Sequence, residues 1–461
     1  MMRRREQLHA CSRTRVRSTT VVLIVATWLA TGTGPSAEQG QRESEPDGTA
    51  AVQTADRPGF APKPIDGRVI AAWNSLAHDI AFEQDQFLTF KGQRALAMMH
   101  LAMHDALNSI VPRYQRYAYA GHVTPGDPIV AAAQAAHDVL LSEYPDQGDR
   151  LGAELTAWLS ESPQRAARDR AITLGHAAAG AIVALRAGDG WDFPGSYIFR
   201  DGPGEYQTTP PWNGFVAQPG FRFARPFVLE SPSQFRPEPP PLLAGPDYAR
   251  ALQEVQEFGR LESAHRTADQ TAYAVWWMEF AEGSVNRLAR QLVTQRDTDL
   301  WTAARLFSHI GVALFDTYVA TWDSKYEYNH WRPFTAIRTA DTDGNQDTIA
   351  DAQWEPLRPT PPFPEYSSAH AAACAASFGV LAEAFGHDVS FTMATTTAPP
   401  DMPTRHFESF AAAAAECADS RVKLGWHFRY STDAGLVLGQ RIARYVMKRA
   451  LQPSANRGKD R

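Results

Sequence analysis

Apolar residues return at three- and four-residue steps through segment after segment of this chain: near 69–82, 92–111, 127–142, 150–159, 165–187, 247–261, 266–295, 298–324, 368–385, 406–418 and 433–450. That period marks one face of an α-helix, and the two-residue alternation of a half-buried strand is nearly absent. The sequence therefore predicts an all-α protein, a helical bundle. One stretch, 201–246, interrupts the pattern, because "TTPPWNGF", "QPGFRFARPF" and "RPEPPPLL" hold prolines that no helix interior accepts. Its many aromatic residues favour a loop packed onto the protein over a linker between two bundles. Loops of this length in compact proteins are often functional.

The ends of the chain read differently. Residues 1–37 run from the basic "MMRRREQLHACSRTRVRSTT" through the apolar "VVLIVATWLA" to the small-residue stretch "TGTGPSA". This is the layout of a secretory signal peptide, with an apolar region too short to span a bilayer comfortably. The expectation is a secreted or periplasmic protein with no membrane span after signal removal. Residues 38–62, polar and aperiodic, read as a disordered spacer and 453–461 as a disordered tail. Between them, 63–452 is expected to form a single helical domain of two packed halves: N-terminal helices over 63–200, the Pro-rich loop 201–246, and a C-terminal half over 247–452. Broad apolar helix faces are compatible with a homodimer. Without the signal, 39 basic residues face 50 acidic ones, a formal charge of −11, which argues against a nucleic-acid partner. Cys11 leaves with the signal, and Cys374 and Cys417 fit either one disulfide or two buried thiols.

Against that acidic background, "KYEYNHWRP" sets Lys325 and Arg332 seven positions apart. On one continuous helix this step would send both cations from the same face, roughly 10 Å apart. About thirty residues later comes "TPPFPEYSSAHAAACAASFGVLAEAF", whose prolines forbid a helix up to Pro364. Ser367 or Ser368 is then the expected N-cap, which places Ser368, Ala369 and His370 at a helix N-terminus, where free N–H groups and the helix dipole favour an anion. In "SRVKLGWHFRYSTDAGLVLG", Arg421 precedes His427 by six residues. The guanidinium fork suits a tetrahedral oxyanion, and a neutral imidazole beside it can serve as nucleophile or metal ligand.

Together these pieces, K-x6-R-P, a small-residue turn ending in His, and S-R-x5-H, resemble the signature of the vanadium-dependent haloperoxidases and the related acid phosphatases of the type 2 phosphatidic acid phosphatase superfamily. The order, the spacing and the flanking "TPPFPEY" fit the haloperoxidase branch best, over about a quarter of the chain. The resemblance implies vanadate as cofactor, in a site that phosphate can also occupy. Lys325, Arg332 and Arg421 would neutralise its oxygens, Ser368 and the N–H of Ala369 would hydrogen-bond to it, His427 would coordinate the metal, and His370 would be the acid–base residue. Hydrogen peroxide and a halide would be the substrates, with or without an organic acceptor, and Lys325 would polarise the bound peroxide. The alternatives are phosphate-ester hydrolysis through His427 in the same pocket, and a catalytically silent oxyanion-binding homologue.

Three positions depart from the family pattern. The usual Pro-Ser-Gly-His turn is here Ser367-Ser368-Ala369-His370, and alanine keeps the N–H but resists positive φ. The acid often found four residues after the metal-binding histidine is here Ser431, so either Asp433 reaches back or another group substitutes. Phe363, Trp331 and Tyr366 are candidates to wall a halide approach. "HLAMH" sets His100 and His104 one turn apart without the intervening acid of a zinc protease. "DTDGNQD", 341–347, alternates oxygen side chains but reads better as a polar turn than as a calcium loop.

Overall fold

The computed structural model describes residues 67–162 and 164–454; the expected signal peptide, the spacer and the tail from 455 lie outside the described residues. Among the described residues are thirteen α-helices and one short hairpin. The helices are α1 (Arg68–Asp85), α2 (Lys91–Asn108), α3 (Pro128–Glu143), α4 (Gly148–Ser160), α5 (Arg165–Arg186), α6 (Pro246–Phe258), α7 (Ala268–Trp276), α8 (Ala281–Gln295), α9 (Leu300–Tyr328), α10 (Pro333–Arg338), α11 (Ala369–Phe385), α12 (Phe410–Lys423) and α13 (Arg429–Arg449). Between α11 and α12, strands β1 (Phe391–Ala394) and β2 (Thr404–Phe407) pair antiparallel. Four residues per strand are too few to leave an alternating pattern in the sequence.

The helix starts follow local chemistry. Asp127, Asp299, Ser368 and Ser409 each accept backbone N–H groups at the start of α3, α9, α11 and α12, and Thr267 with Gln270 forms a capping box on α7. Where one helix was expected over 266–295, the chain breaks at Trp277–Phe280 into α7 and α8. α9, with 29 residues, is buried along nearly its whole length and packs between α2 and α11. α13 lies so close to α11 that a Cβ at Gly435 would sit 2.5 Å from the Ser368 carbonyl oxygen, and one at Gly439 2.1 Å from that of Ala372. Only glycine opposite an alanine-rich face permits that approach.

From Ala187 to Gly245 the chain has no regular structure beyond a 3-10 turn at Pro219–Phe223, and it packs onto the bundle as expected. Phe221 stacks on Phe90 at 3.6 Å. The buried Asp316 carboxylate of α9 accepts the N–H groups of Phe227, Val228 and Leu229 at 2.6, 2.8 and 3.0 Å. Pro453 and Ser454, assigned to the tail from sequence, instead pair with Tyr114 and Arg113. No described helix is long and apolar enough to cross a membrane.

Burial makes this bundle acid-sensitive. His100 of α2 and His309 of α9 are each held neutral, with pKa values pushed down to about 3 chiefly by desolvation. The unfolded chain takes up these protons near pH 6.5 and the folded chain does not, so stability present above pH 6.5 is lost as the pH falls below it. Each histidine should cost about 2 kcal/mol between pH 6.5 and 5. Urea midpoints at the two pH values test this; a His309→Gln protein with an unchanged acid slope would contradict it.

Candidate functional site

Lys325 and Arg332 do not share a helix. α9 ends at Tyr328, and Asn329 takes a left-handed conformation, φ 47°, which asparagine tolerates better than most residues. Asn329 is held there by Tyr197 Oη, which donates to its Oδ1 at 2.6 Å, and by the Tyr206 N–H, which donates to its carbonyl at 2.8 Å. The chain turns, and Arg332 becomes the residue before α10, with Pro333 at its first position. The two cations therefore approach the same segment from different elements. Lys325 Nζ donates to the carbonyls of Pro364 and Glu365, both at 2.9 Å, and Arg332 Nε donates to that of Phe363 at 2.9 Å. The prolines of "PPFPEY" keep this segment out of helix, which leaves three successive carbonyls free to accept. The Phe363 ring lies 5.0 Å from Lys325 Nζ and 4.9 Å from the Arg332 guanidinium carbon.

The next element starts immediately after. Ser368 is the N-cap of α11, its Oγ accepting the Ala371 N–H, while its own N–H donates to the Ser431 carbonyl. Ala369 begins the helix without positive φ, so the departure from glycine needs no left-handed backbone here. Its N–H, in the first turn, has no intrahelical acceptor. His370 follows on the same turn. Its Nε2 is sealed from solvent with no hydrogen-bond partner among the described residues.

Arg421 lies near the C-terminus of α12, 1% exposed, and Nη2 donates to the Trp277 carbonyl at 2.6 Å. That carbonyl is free because the chain breaks between α7 and α8 at this point. After α12 the backbone reverses at Gly425, φ 79°, where a side chain would meet the Gly259 carbonyl oxygen at 2.6 Å. The reversal carries His427 back into the interior, where Nε2 lies 3.1 Å from Arg332 Nη1 and Nδ1 lies 2.8 Å from Glu365 Oε1. Ser431 Oγ is 3.4 Å from the same Nδ1. Asp433 does not reach back: it is exposed on α13, with Arg429 and Glu254 as its charged neighbours. The carboxylate beside the histidine comes instead from Glu365, which the sequence reading passed over although it stands in the quoted "PPFPEY".

Burial dominates the electrostatics. Desolvation pushes Arg421 down to about 9 and Arg332 to about 10, the latter against the pull of Glu365. Lys325 is held well below the usual lysine range by burial and by Arg332. Burial likewise keeps His427 and His370 neutral and raises Glu365 to about 7. One turn along α11 from His370, Cys374 is joined to Cys417 by a disulfide, with Cα atoms 6.6 Å apart. This settles the open alternative of bridge or thiols, and it ties α11 to α12 one turn from Arg421.

The remaining candidates lie elsewhere. Trp331 is core, packed with Tyr248, Trp354 and Phe428, and Tyr366 donates its hydroxyl to the Glu238 carbonyl. His100 contacts Asn74, and His104 contacts Asp105. In the 341–347 turn, Asp343 accepts from the Asn345 N–H and the Thr348 hydroxyl, as a self-closed polar turn does.

In this helical bundle, buried cations, a helix N-terminus and a histidine gather around one small volume. Residues 305–456 match the family model described as "VCPO second helical-bundle domain". The chain is 26% identical over 457 positions to vanadium chloroperoxidase from Curvularia inaequalis, with 74% of each chain covered. Among solved structures it resembles a bacterial vanadium-dependent iodoperoxidase (TM-score 0.73, 24% identity, 86% of this chain and 99% of that one). It also resembles a bacterial vanadium-dependent chloroperoxidase in its holo form (TM-score 0.63, 18% identity, 85% and 99%). In sequence and in fold the chain is similar to the vanadium-dependent haloperoxidases.

Proposed function

We propose that this protein is a vanadate-dependent haloperoxidase, exported from the cell, that uses hydrogen peroxide to oxidise a halide. The observation that carries this reading is a charge imbalance: Lys325, Arg332 and Arg421 are 0, 0 and 1% exposed, and Glu365 is the carboxylate buried beside them. Buried ions cost several kcal/mol each unless compensated, so the surplus of positive charge calls for an anion. Three sealed polar atoms without partners among the described residues, Arg332 Nη2, His370 Nε2 and Glu365 Oε2, belong to the same cluster. The donor set fits a tetrahedral oxyanion with a nitrogen ligand.

In this reading Lys325, Arg332 and Arg421 would hold the oxygens of vanadate, the Ser368 hydroxyl and the Ala369 N–H would donate to it, and His427 Nε2 would be the metal ligand. Bound vanadate would supply a Lewis-acid centre that activates peroxide toward a halide, giving a hypohalous acid equivalent. The chain's own part is to hold charge in place. Lys325 and the two arginines offset negative charge in a water-poor pocket, where such contacts are strongest. Phe363 covers two of these cations with an apolar ring. His370, kept neutral by burial, takes up a proton before it returns one.

Phosphate suits the same charges, and a phosphate ester would meet the lone pair of His427 as a nucleophile, with His370 protonating the leaving alkoxide. One assay separates the readings. Protein stripped with chelator and phosphate is supplied with vanadate, and halide-dependent peroxide consumption is measured beside p-nitrophenyl phosphate cleavage. Restoration of the first activity alone is expected. Ester cleavage without vanadate would move the assignment to a phosphatase, and neither activity would leave an oxyanion-binding protein.

A further inference from the structure

The hydrogen-bond partners of His427 fix its tautomer. Arg332 Nη1 can only donate, so at 3.1 Å it requires Nε2 to present a lone pair. The proton of the neutral ring then sits on Nδ1, where the nearest acceptor is Glu365 Oε1 at 2.8 Å, with Ser431 Oγ further off at 3.4 Å. Glu365 is 62 positions from His427 in sequence, is 0% exposed, and has little freedom to move. Its Oε1 also accepts the Phe428 N–H at 3.0 Å, its own N–H donates to the His330 carbonyl at 2.9 Å, and its carbonyl accepts Lys325 Nζ at 2.9 Å. One residue thus joins the end of α9, the Pro-rich approach and the start of α13.

We propose that Glu365 is the positioning residue for the metal-facing imidazole in this chain: its carboxylate receives the Nδ1–H of His427 and so aims the Nε2 lone pair into the cation cluster, a task Ser431 does not perform. The inference rests on the vanadate-pocket reading and deepens it. It opposes a simpler role, in which Glu365 is only a counter-charge for Lys325 and Arg332. The two roles predict opposite signs. Removing a plain counter-charge leaves the pocket more positive and tightens every anion alike. Removing a positioning carboxylate weakens the anion that needs the imidazole nitrogen and spares the anion that does not.

Vanadate and phosphate form that pair of probes. Their dissociation constants are to be measured by calorimetry on the whole mature protein, as wild type, Glu365→Gln, Glu365→Ala and the double variant Glu365→Ala/Ser431→Asp. Vanadate should bind about 10- to 100-fold more weakly in Glu365→Ala, the range typical for a lost partner of a metal ligand. Phosphate should bind as well as before or more tightly, which also reports an intact pocket. The Ser431→Asp exchange, which brings a carboxylate to the same nitrogen from α13, should recover most of the vanadate loss. Equal tightening of both anions, or failure of the double variant to recover, would overturn the proposal. A second readout needs no anion: histidine-selective 15N spectra, with His427 assigned by its absence in His427→Ala, should show Nδ1–H in the wild type and a shift toward Nε2–H in Glu365→Ala. An unchanged tautomer would overturn the proposal whether or not vanadate binds. The tautomer change in Glu365→Ala, together with wild-type protein that does not bind vanadate, would refute the function reading and leave the positioning role standing.

Discussion

Halide-dependent peroxide consumption is expected to fall by at least about 10³-fold in His427→Ala, on the scale seen when a group central to an active site is removed. His427 supplies the nitrogen whose lone pair meets Arg332 Nη1; the cations around it, Lys325, Arg332 and Arg421, can only donate. The fold should survive. The ring is small, and two of its contacts, with Glu365 and Arg332, are to groups that water entering the vacated space could satisfy. Steady-state turnover beside near-UV circular dichroism checks both halves. Rates within tenfold of wild type would take this histidine out of the chemistry.

The second large effect concerns Arg421. Arg421→Leu should lower turnover by about 10²–10³-fold, the cost of removing one preorganised donor to developing negative charge, and should weaken phosphate binding as well. Its effect on the anion-free protein should be small, under about 1 kcal/mol in urea unfolding. The lost hydrogen bonds to the Trp277 carbonyl and Ser420 Oγ are offset by relief from burying a guanidinium to which, among the described residues, no carboxylate is hydrogen-bonded. A structural arginine behaves oppositely: breaking a buried ion pair costs 3–5 kcal/mol. Destabilisation of that size with undiminished phosphate affinity would make Arg421 part of the scaffold.

Helical periodicity carried most of the fold, because helices such as α5 and α6 bury one face and expose the other, which leaves a 3.6-residue signature. It failed where a local backbone choice intervenes. No pattern announces that Asn329 will turn left-handed and part Lys325 from Arg332, and no proline or glycine marks the break at Trp277. That Lys325, Arg332 and His427 converge was legible, since each belongs to a short motif with fixed spacing. Glu365 was not. A single acid among prolines resembles any loop residue, and only the folded chain shows that it spans 62 positions to meet an imidazole. Spacing along the chain offers His427 either Asp433 or an unnamed substitute, and the partner comes from a separate segment.

The sulfur bridge between α11 and α12 bears on how long such a catalyst would survive its own reaction. A thiolate one helical turn from His370, beside a reservoir of peroxide and hypohalous acid, would be driven stepwise to sulfenic and then irreversible sulfinic acid, swelling the joint that holds Arg421 in register. With Cys374 and Cys417 already paired, neither sulfur offers a thiolate to attack, and that joint starts out in an oxidised state.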